Sequence, residues 1–211
     1  MKNLPKGSDS ALHLLKAANL LGDFYLAGGT SLALQYAHRT SVDLDFFTGK
    51  QLELEPLLQA LNRTQAFELL ETAKGTIHGL LKKVKISFLE YPYPNLKPFQ
   101  TQYLEGVPLA HPVDIGLMKI SAVASRGSRK DFFDLWHICR REISLGILLK
   151  LYPKKFGKKL TPTYHILRSL TYFADADSEP ELTTAQPYCW DDVKTYFEKE
   201  VQRISRKLLK L

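Results

Sequence analysis

The sequence predicts an α+β fold, with an α/β N-terminal half that carries a small mixed sheet and a C-terminal helical bundle. Two observations in the N-terminal half support this. Residues 24–47 follow the order strand, Gly-Gly break, helix and strand, and residues 66–90 alternate apolar and polar side chains as antiparallel strands do. Beyond that region the apolar spacing becomes helical. We therefore predict an α/β half at residues 1–110 and a helical half at residues 111–211, packed as one unit.

Composition narrows the class of protein. The 211 residues are 45% hydrophobic and 24% charged, which allows one sizeable core. A formal net charge of +7 favours a polyanionic partner, because a basic surface attracts phosphate backbones without reading their sequence. Two cysteines are too few for a disulfide framework. Without a signal peptide or a run of about 18 apolar residues, we expect a cytoplasmic protein with no membrane segment.

Two helices are predicted beside the strands of the N-terminal half. Residues 8–22 place apolar side chains on one face and end at Gly22. Residues 51–62 form the second, with Pro56 tolerated only in its first turn. Three antiparallel strands follow, joined by turns at Lys74-Gly75 and Lys82-Lys83: residues 67–73, 76–81 and 83–91.

The chemically most informative stretch is residues 24–47. An apolar strand ends at Gly28-Gly29, a helix runs from Thr30 to Ala37, and a second strand carries Asp43 and Asp45. Because side chains alternate along a strand, both carboxylates share one face, opposite Leu44 and Phe46. Acidic groups about 6 to 7 Å apart can hold a hard cation, and a Gly-Gly-Thr turn lets backbone N–H groups approach a phosphate.

Each half of this pattern also has a plain structural interpretation. Gly-Gly between a strand and a helix is often only a turn, and an Asp-x-Asp pair can belong to a solvated strand face. However, two neighbouring like charges bring no stability to a strand. The combination therefore favours a metal-dependent phosphate site at Asp43 and Asp45.

A second group of charged residues lies on two predicted helices. The first is capped by Asp114 and carries Lys119 and Arg126 on one face, and the second carries Lys130 and Asp131. Cations on rigid helices suit the charge that phosphoryl-type transfer concentrates on phosphate oxygens. In the alternative interpretation Lys119 is solvated and Lys130 forms an exposed pair with the residue four positions on. Asp131 either orients a lysine or caps its helix.

Three further helices are predicted at residues 143–151, at residues 163–174 and from Trp190 onwards. Between the first two lies a basic loop, Lys154-Lys155 and Lys158-Lys159. Such a cluster is commonly a solvated face, but it also suits an RNA backbone.

Three sequence segments together form a recognisable set. The first reads Gly28-Gly29-Thr30-Ser31, His38-Arg39-Thr40-Ser41 and Asp43-Leu44-Asp45-Phe46-Phe47; the second is Lys119, Arg126 and Lys130-Asp131-Phe132-Phe133-Asp134-Leu135; the third is residues 169–177. The set resembles the AbiEii/AbiGii toxin family of nucleotidyltransferases, a branch of the DNA polymerase β-like superfamily. The resemblance covers most of the chain and implies the polymerase β-like nucleotidyltransferase fold.

The resemblance also implies an activity and partners. The expected protein is a toxin of a type IV toxin–antitoxin or phage-defence system that transfers a nucleotide from an NTP to RNA, with tRNA 3′ ends as one acceptor and a cognate antitoxin as partner. Mg²⁺ is the implied cofactor. The implied catalytic residues are Asp43, Asp45, Lys119, Lys130 and Asp131, with Asp43 and Asp45 as metal ligands. The implied nucleotide-binding residues are Gly28, Gly29, Thr30, Ser31 and Arg39.

One position departs from the family pattern. Ser87 stands in the last strand where many family members carry an acidic residue, and Glu90 faces the other way unless a bulge re-aims the strand end. This keeps a catalytically impaired nucleotide- or RNA-binding regulatory module open as an alternative. A small-molecule nucleotidyltransferase is a weaker alternative, because the net basic charge favours a polyanion.

Overall fold

The computed structural model describes residues 4, 6–104, 106–157 and 163–208. They form two compact units. The first contains the described residues up to Pro94 together with Pro98–His111, and the second contains Asn95–Lys97 and the described residues from Pro112 onwards. Among the described residues, no helix is both long and apolar enough to cross a lipid bilayer.

The first unit is built on a five-stranded sheet in the order β1-β2-β5-β4-β3. Its strands are β1 (Tyr25–Ala27), β2 (Asp43–Thr48), β3 (Phe67–Ala73), β4 (Thr76–Leu81) and β5 (Val84–Glu90). Strands β2 and β5 run parallel and the other neighbouring pairs run antiparallel, which confirms the predicted small mixed sheet. Both predicted turns are present, with positive φ at Gly75, Lys82 and Lys83.

Three helices complete the first unit: α1 (Ser8–Ala17), α2 (Gly28–Tyr36) and α3 (Leu54–Arg63). Helix α1 ends before the predicted residue 22, because Asn19 adopts a left-handed conformation with φ 54° that stops the helix. Helix α2 begins two residues earlier than predicted. The Gly-Gly pair is therefore the first turn of the helix and not a loop before it.

One face of the sheet forms the core of this unit. Leu44 and Phe46 of β2 are fully buried, as are Ile86 and Phe88, their register partners on β5. The rings of Phe46 and Phe88 stack with their centroids 5.3 Å apart. Burying each of these side chains stabilises the fold by about 1.5–3 kcal/mol, so the core fixes which residues of β2 point the other way.

The second unit is helical. Its helices are α4 (Pro112–Arg126), α5 (Arg129–Arg141), α6 (Leu145–Phe156), α7 (Thr163–Ser169), α8 (Ala174–Ser178) and α9 (Trp190–Leu208). The helix predicted at residues 163–174 was too long, because α7 ends at Ser169 and α8 starts separately. Phe132 on α5 packs against Phe173 and against Phe197 on α9, with ring centroids 5.1 and 5.4 Å apart.

Asp114 was predicted to cap a helix from outside, but it lies inside the first turn of α4 and is fully buried. Its carboxylate accepts the backbone N–H groups of Leu96 and Lys97 and binds Lys155 Nζ at 2.8 Å. This contact also corrects the basic-loop prediction: Lys154 and Lys155 belong to α6, whereas residues 158–162 lie outside the described residues. Burial lowers the pKa of Lys155 although Asp114 opposes the shift.

We expect Asp114→Ala to lower the free energy of unfolding by about 3–5 kcal/mol, because it leaves the buried ammonium of Lys155 without its carboxylate. The measurement is equilibrium unfolding in urea. Asp191→Ala is the matched control, since Asp191 pairs with Lys194 at an exposed site and should change stability by less than about 1 kcal/mol. A loss for Asp114→Ala as small as for the control would contradict the structural role of the pair.

Candidate functional site

The two acidic residues of β2 lie on the sheet face opposite the core. Asp43 and Asp45 are half-buried, whereas Leu44 and Phe46 between and beside them are fully buried. The Thr30 hydroxyl donates a hydrogen bond to the backbone carbonyl of Asp43. The first turn of α2 is therefore fastened to the start of the strand that carries both carboxylates.

A glycine corner at Gly28 brings the Asp45 carboxylate close to the start of α2. Gly28 has φ +71°, a conformation that favours glycine, and a Cβ atom placed on it would lie 3.4 Å from Asp45 Oδ2. Ala27, the preceding residue, is the register partner of Asp45. The Asp45 carboxylate therefore lies against the first turn of α2, where the sequence predicted a phosphate site.

The N-terminus of α2 offers backbone N–H groups to an anion. Among the described residues, no side-chain hydrogen bond caps this end of the helix. The side chains of Thr30 and Ser31 are engaged elsewhere, because the hydroxyls of Thr30 and Ser41 share a 2.8 Å hydrogen bond and Ser31 Oγ accepts one from Gln35. Orphan N–H groups and the helix dipole together suit a phosphate.

Arg39 lies over the same turn. Its guanidinium is so close to Gly29 that a Cβ atom there would be 2.3 Å from Nη2. Arg39 is buried and donates from Nη1 to the Thr40 carbonyl at 2.9 Å. The two glycines therefore have different functions: Gly28 makes room for a carboxylate, and Gly29 makes room for a cation.

The third position of the expected acidic set is occupied by a hydroxyl. Ser87 on β5 is the register partner of Asp45, so both point to the same sheet face. Ser87 Oγ lies 3.0 Å from Nδ1 of His78 on β4, a residue that sequence analysis missed. Glu90 does not replace the missing carboxylate, because it accepts a hydrogen bond from the Leu52 N–H and pairs in register with Thr48.

The residues that could hold a metal here are Asp43 and Asp45. Among the described residues, no group of three or more His, Cys, Asp and Glu side chains is arranged around one metal position. Two carboxylates still fit Mg²⁺, which prefers oxygen ligands and usually keeps several waters and substrate phosphates. Because Gly28 has no Cβ atom, the Asp45 carboxylate can lie at the start of α2, where it could share an ion with the phosphates of a bound substrate.

Of the remaining predicted residues, Lys119 and Asp131 belong to an ion network in the helical unit, in which Lys119 and both carboxylates are buried. Lys119 Nζ binds Asp131 Oδ1 at 2.8 Å and Asp134 Oδ2 at 2.7 Å, and Arg126 Nε binds Asp131 Oδ2 at 2.7 Å. The interpretation of Lys119 as solvated is wrong, because its side chain is only 7% exposed. Lys130 is half-buried on the same helix as Asp131.

Asp131 is held in its charged form by these neighbours. Burial alone would raise its pKa, but the charges of Lys119 and Arg126 and their hydrogen bonds lower it below its ordinary value of 3.8. Of the two roles left open for Asp131, the contacts favour orienting the lysine.

Comparison with known proteins gives three findings. A family model described as the nucleotidyl transferase AbiEii toxin of type IV toxin–antitoxin systems matches residues 13–189. The uncharacterized protein aq_aa25 of Aquifex aeolicus (strain VF5) is 37% identical over 205 residues, which cover 96% of this chain and 98% of that protein. Two solved structures share the fold.

The first of these structures is MenT4, a nucleotidyltransferase toxin of Mycobacterium tuberculosis H37Rv. It has a TM-score of 0.63 and 19% identity, with 94% of this chain and 82% of that chain covered. The second is JHP933 from Helicobacter pylori, with a TM-score of 0.51, 19% identity and coverage of 99% and 96%. The predicted α+β nucleotidyltransferase fold is confirmed.

Replacing Gly29 by alanine should lower the free energy of unfolding by about 1–3 kcal/mol, because the new methyl group would overlap the guanidinium of Arg39, and this side chain is buried and bonded to the Thr40 carbonyl, which restricts how far it can shift. Equilibrium unfolding in urea measures this. Gly22→Ala serves as the control: no atom lies within 4 Å of its Cβ position, so a change within about 0.5 kcal/mol is expected. Equal effects of the two variants would show that Arg39 does not occupy this position.

The contribution of Asp131 to stability should depend on pH. Because its folded pKa lies below the unfolded one, the contribution is complete above about pH 4 and is lost as the pH falls through the folded pKa. We expect Asp131→Asn to be less stable than the wild type by about 3 kcal/mol near pH 6, with a smaller difference near pH 3. Urea unfolding of both proteins at the two pH values measures it, and a constant difference would contradict the assignment.

Proposed function

We propose that this chain, which belongs to the AbiEii family of nucleotidyl transferase toxins of type IV toxin–antitoxin systems, transfers a nucleotidyl group from an NTP to RNA. The family makes it a nucleotidyltransferase. Our assignment of the site rests on one observation: Asp45 Oδ2 lies 3.4 Å from the position that a Cβ atom would occupy on Gly28, at the start of α2. A carboxylate suited to a metal and a turn suited to a phosphate thus lie within reach of one triphosphate.

The triphosphate would bind the first turn of α2. Its oxygens would accept hydrogen bonds from the backbone N–H groups at this end of the helix, which no side chain caps among the described residues. Thr30 and Ser31 stabilise this turn, since the hydroxyls of Thr30 and Ser41 share a hydrogen bond and Ser31 Oγ accepts one from Gln35. Arg39, held against Gly29, supplies a fixed positive charge beside these groups.

Asp43 and Asp45 would hold Mg²⁺ from the same side. When bound, the ion neutralises charge on the phosphate oxygens and orients the triphosphate. The protein keeps both carboxylates in position through the buried side chains that alternate with them and through the Thr30 bond to the Asp43 backbone.

The reaction that follows is an in-line displacement. A hydroxyl oxygen of the acceptor forms a bond to the α-phosphorus, the bond from that phosphorus to the pyrophosphate oxygen breaks, and the hydroxyl proton leaves to a base. Asp43 is one candidate member of the base arrangement. Arg39 would neutralise charge that develops on the leaving group.

Lys119, Lys130 and Asp131, which all belong to the second unit, are proposed as further functional residues. Lys119 already binds two carboxylates, so we assign it to keeping Asp131 ionised and oriented. Lys130 is half-buried and is our candidate for neutralising phosphate charge.

We propose RNA as the acceptor because the chain carries a formal net charge of +7, and a cationic surface gains affinity for a polyanion by releasing counterions. The 3′ end of tRNA presents the hydroxyl that such a transfer needs and is one candidate. A cognate antitoxin is the expected protein partner, given the type IV toxin–antitoxin family.

Ser87 favours a second candidate function. With a hydroxyl in the third acidic position, the chain would bind an NTP and RNA without turnover, as a regulatory module. A third candidate, transfer to a small molecule, shares the same triphosphate site but leaves the basic charge unexplained.

One experiment separates the three functions. Purified protein is incubated with each α-labelled NTP and Mg²⁺, once with total RNA and once with a protein-free and RNA-free small-molecule cell extract. Label on RNA supports our proposal. Tight NTP binding without transfer to RNA supports the regulatory module, and label that appears only on small molecules supports the third candidate.

Asp43→Asn and Asp45→Asn should each lower transfer at least about 100-fold, because an amide no longer offers the charge that holds a divalent ion. Label incorporation into RNA measures this, with circular dichroism to confirm folding. Asp23→Asn is the control, because Asp23 lies in the same unit at an exposed pair with Lys50 and should leave transfer unchanged. Retained transfer in either of the first two variants would remove that residue from the mechanism.

A further inference from the structure

Four polar side chains form one row across the sheet face opposite the core. Asp45 on β2 pairs in register with Ser87 on β5, Ser87 pairs with His78 on β4, and His78 pairs with Glu71 on β3. The centre of the row is linked by the 3.0 Å hydrogen bond between Ser87 Oγ and His78 Nδ1. Each step of the row crosses one strand spacing of about 4.8 Å.

A β-bulge completes this row. On β3, Leu69 pairs with Gly79 and Glu71 pairs with His78, so Leu70 is the extra residue. In a regular ladder Leu70 would lie opposite His78 and Glu71 would point to the core face. The bulge therefore places a carboxylate beside the imidazole where a leucine would otherwise be.

We propose that Ser87 and His78 together accept the proton of the attacking hydroxyl, because Ser87 stands beside Asp45 on β5 at the position where a third carboxylate was expected. The inference rests on the nucleotidyl transfer proposed above. Ser87 contacts the acceptor hydroxyl next to Asp45, and His78 acts through Ser87.

The proton moves in two linked steps. As the acceptor oxygen bonds to the α-phosphorus, its proton passes to Ser87 Oγ, and the Ser87 proton passes to Nδ1 of His78. Pyrophosphate leaves with the electron pair of the broken phosphorus–oxygen bond. A serine hydroxyl is a weak base alone and needs a neighbouring base, which the 3.0 Å contact provides.

The charges around His78 suit this role. Glu71 is its cross-strand neighbour and would stabilise the imidazolium, as opposite charges do on one sheet face. Asp45 lies beyond Ser87, and Lys85 is the next residue along β5 on this face, exposed to solvent and opposite Asp43. Glu68 faces Leu80, the residue two positions from His78 on β4.

The first test needs no turnover. In the free protein, ¹⁵N NMR of the neutral imidazole should show His78 protonated on Nε2, because Nδ1 must be bare to accept the Ser87 proton. A neutral His78 protonated on Nδ1 would donate to Ser87 and would overturn the inference.

The second test uses transfer kinetics. His78→Gln and Ser87→Ala should each lower kcat about 100-fold or more while leaving KM for the NTP unchanged. His13→Gln is the matched control, an exposed histidine of α1 in the same unit, and it should keep the wild-type kcat. Circular dichroism excludes loss of folding as the cause.

A rescue variant separates catalysis from a structural role. Ser87→Asp installs the missing carboxylate, so it should transfer, and adding His78→Gln to it should change kcat by less than about threefold. A merely structural histidine would cost as much in that background as in the wild type, and this result would overturn the inference. If the wild type transfers and His78→Gln keeps its kcat, only this inference fails; if the wild type transfers nothing, the proposed function fails with it.

Discussion

The register between the parallel strands β2 and β5 is the constraint on which the site depends. It is fixed by the buried face, where Phe46 stacks on Phe88 and Leu44 pairs with Ile86. A slip of one residue would bring Asp43 and Asp45 into the core, where ionised carboxylates cost several kcal/mol each. The aromatic pair that stabilises the sheet therefore also places both acids on the face opposite the core.

The absence of side chains at two glycines sets the electrostatics of the turn. Gly28 leaves room for the Asp45 carboxylate and Gly29 leaves room for the Arg39 guanidinium. Both glycines lie in the first turn of α2, at the positive end of the helix dipole. An anion that binds the backbone N–H groups therefore meets a fixed cation on one side. On the other side it meets a carboxylate, which repels it unless a metal ion lies between them. If the triphosphate and Mg²⁺ bind as proposed, this arrangement would couple the binding of the two.

The sequence predicted strands β3 to β5 well, because the signals for these strands are local. Period-two alternation and the turn residues Lys74-Gly75 and Lys82-Lys83 gave strands β3 to β5 within a residue or two. Features that depend on distant partners were missed. Asp114 lies 41 positions from Lys155, so its burial is invisible to local pattern, and the Ser87–His78 contact required the register of two strands. The early end of α1 was missed because residues 20 and 21 continue the apolar pattern beyond Asn19.

Each unit contains charged or polar side chains in its interior that the stability of the fold does not require. Lys119, Arg126, Asp131 and Asp134 sum to zero charge, yet a buried ion network of this kind is commonly no more stable than apolar residues of the same volume. The same holds for the row on the sheet, where Ser87 is buried and an apolar strand residue would pack as well. Stability therefore does not account for these residues. The proposed reaction would account for them, because fixed charges and a directed proton need groups that their neighbours hold in one protonation state and one orientation.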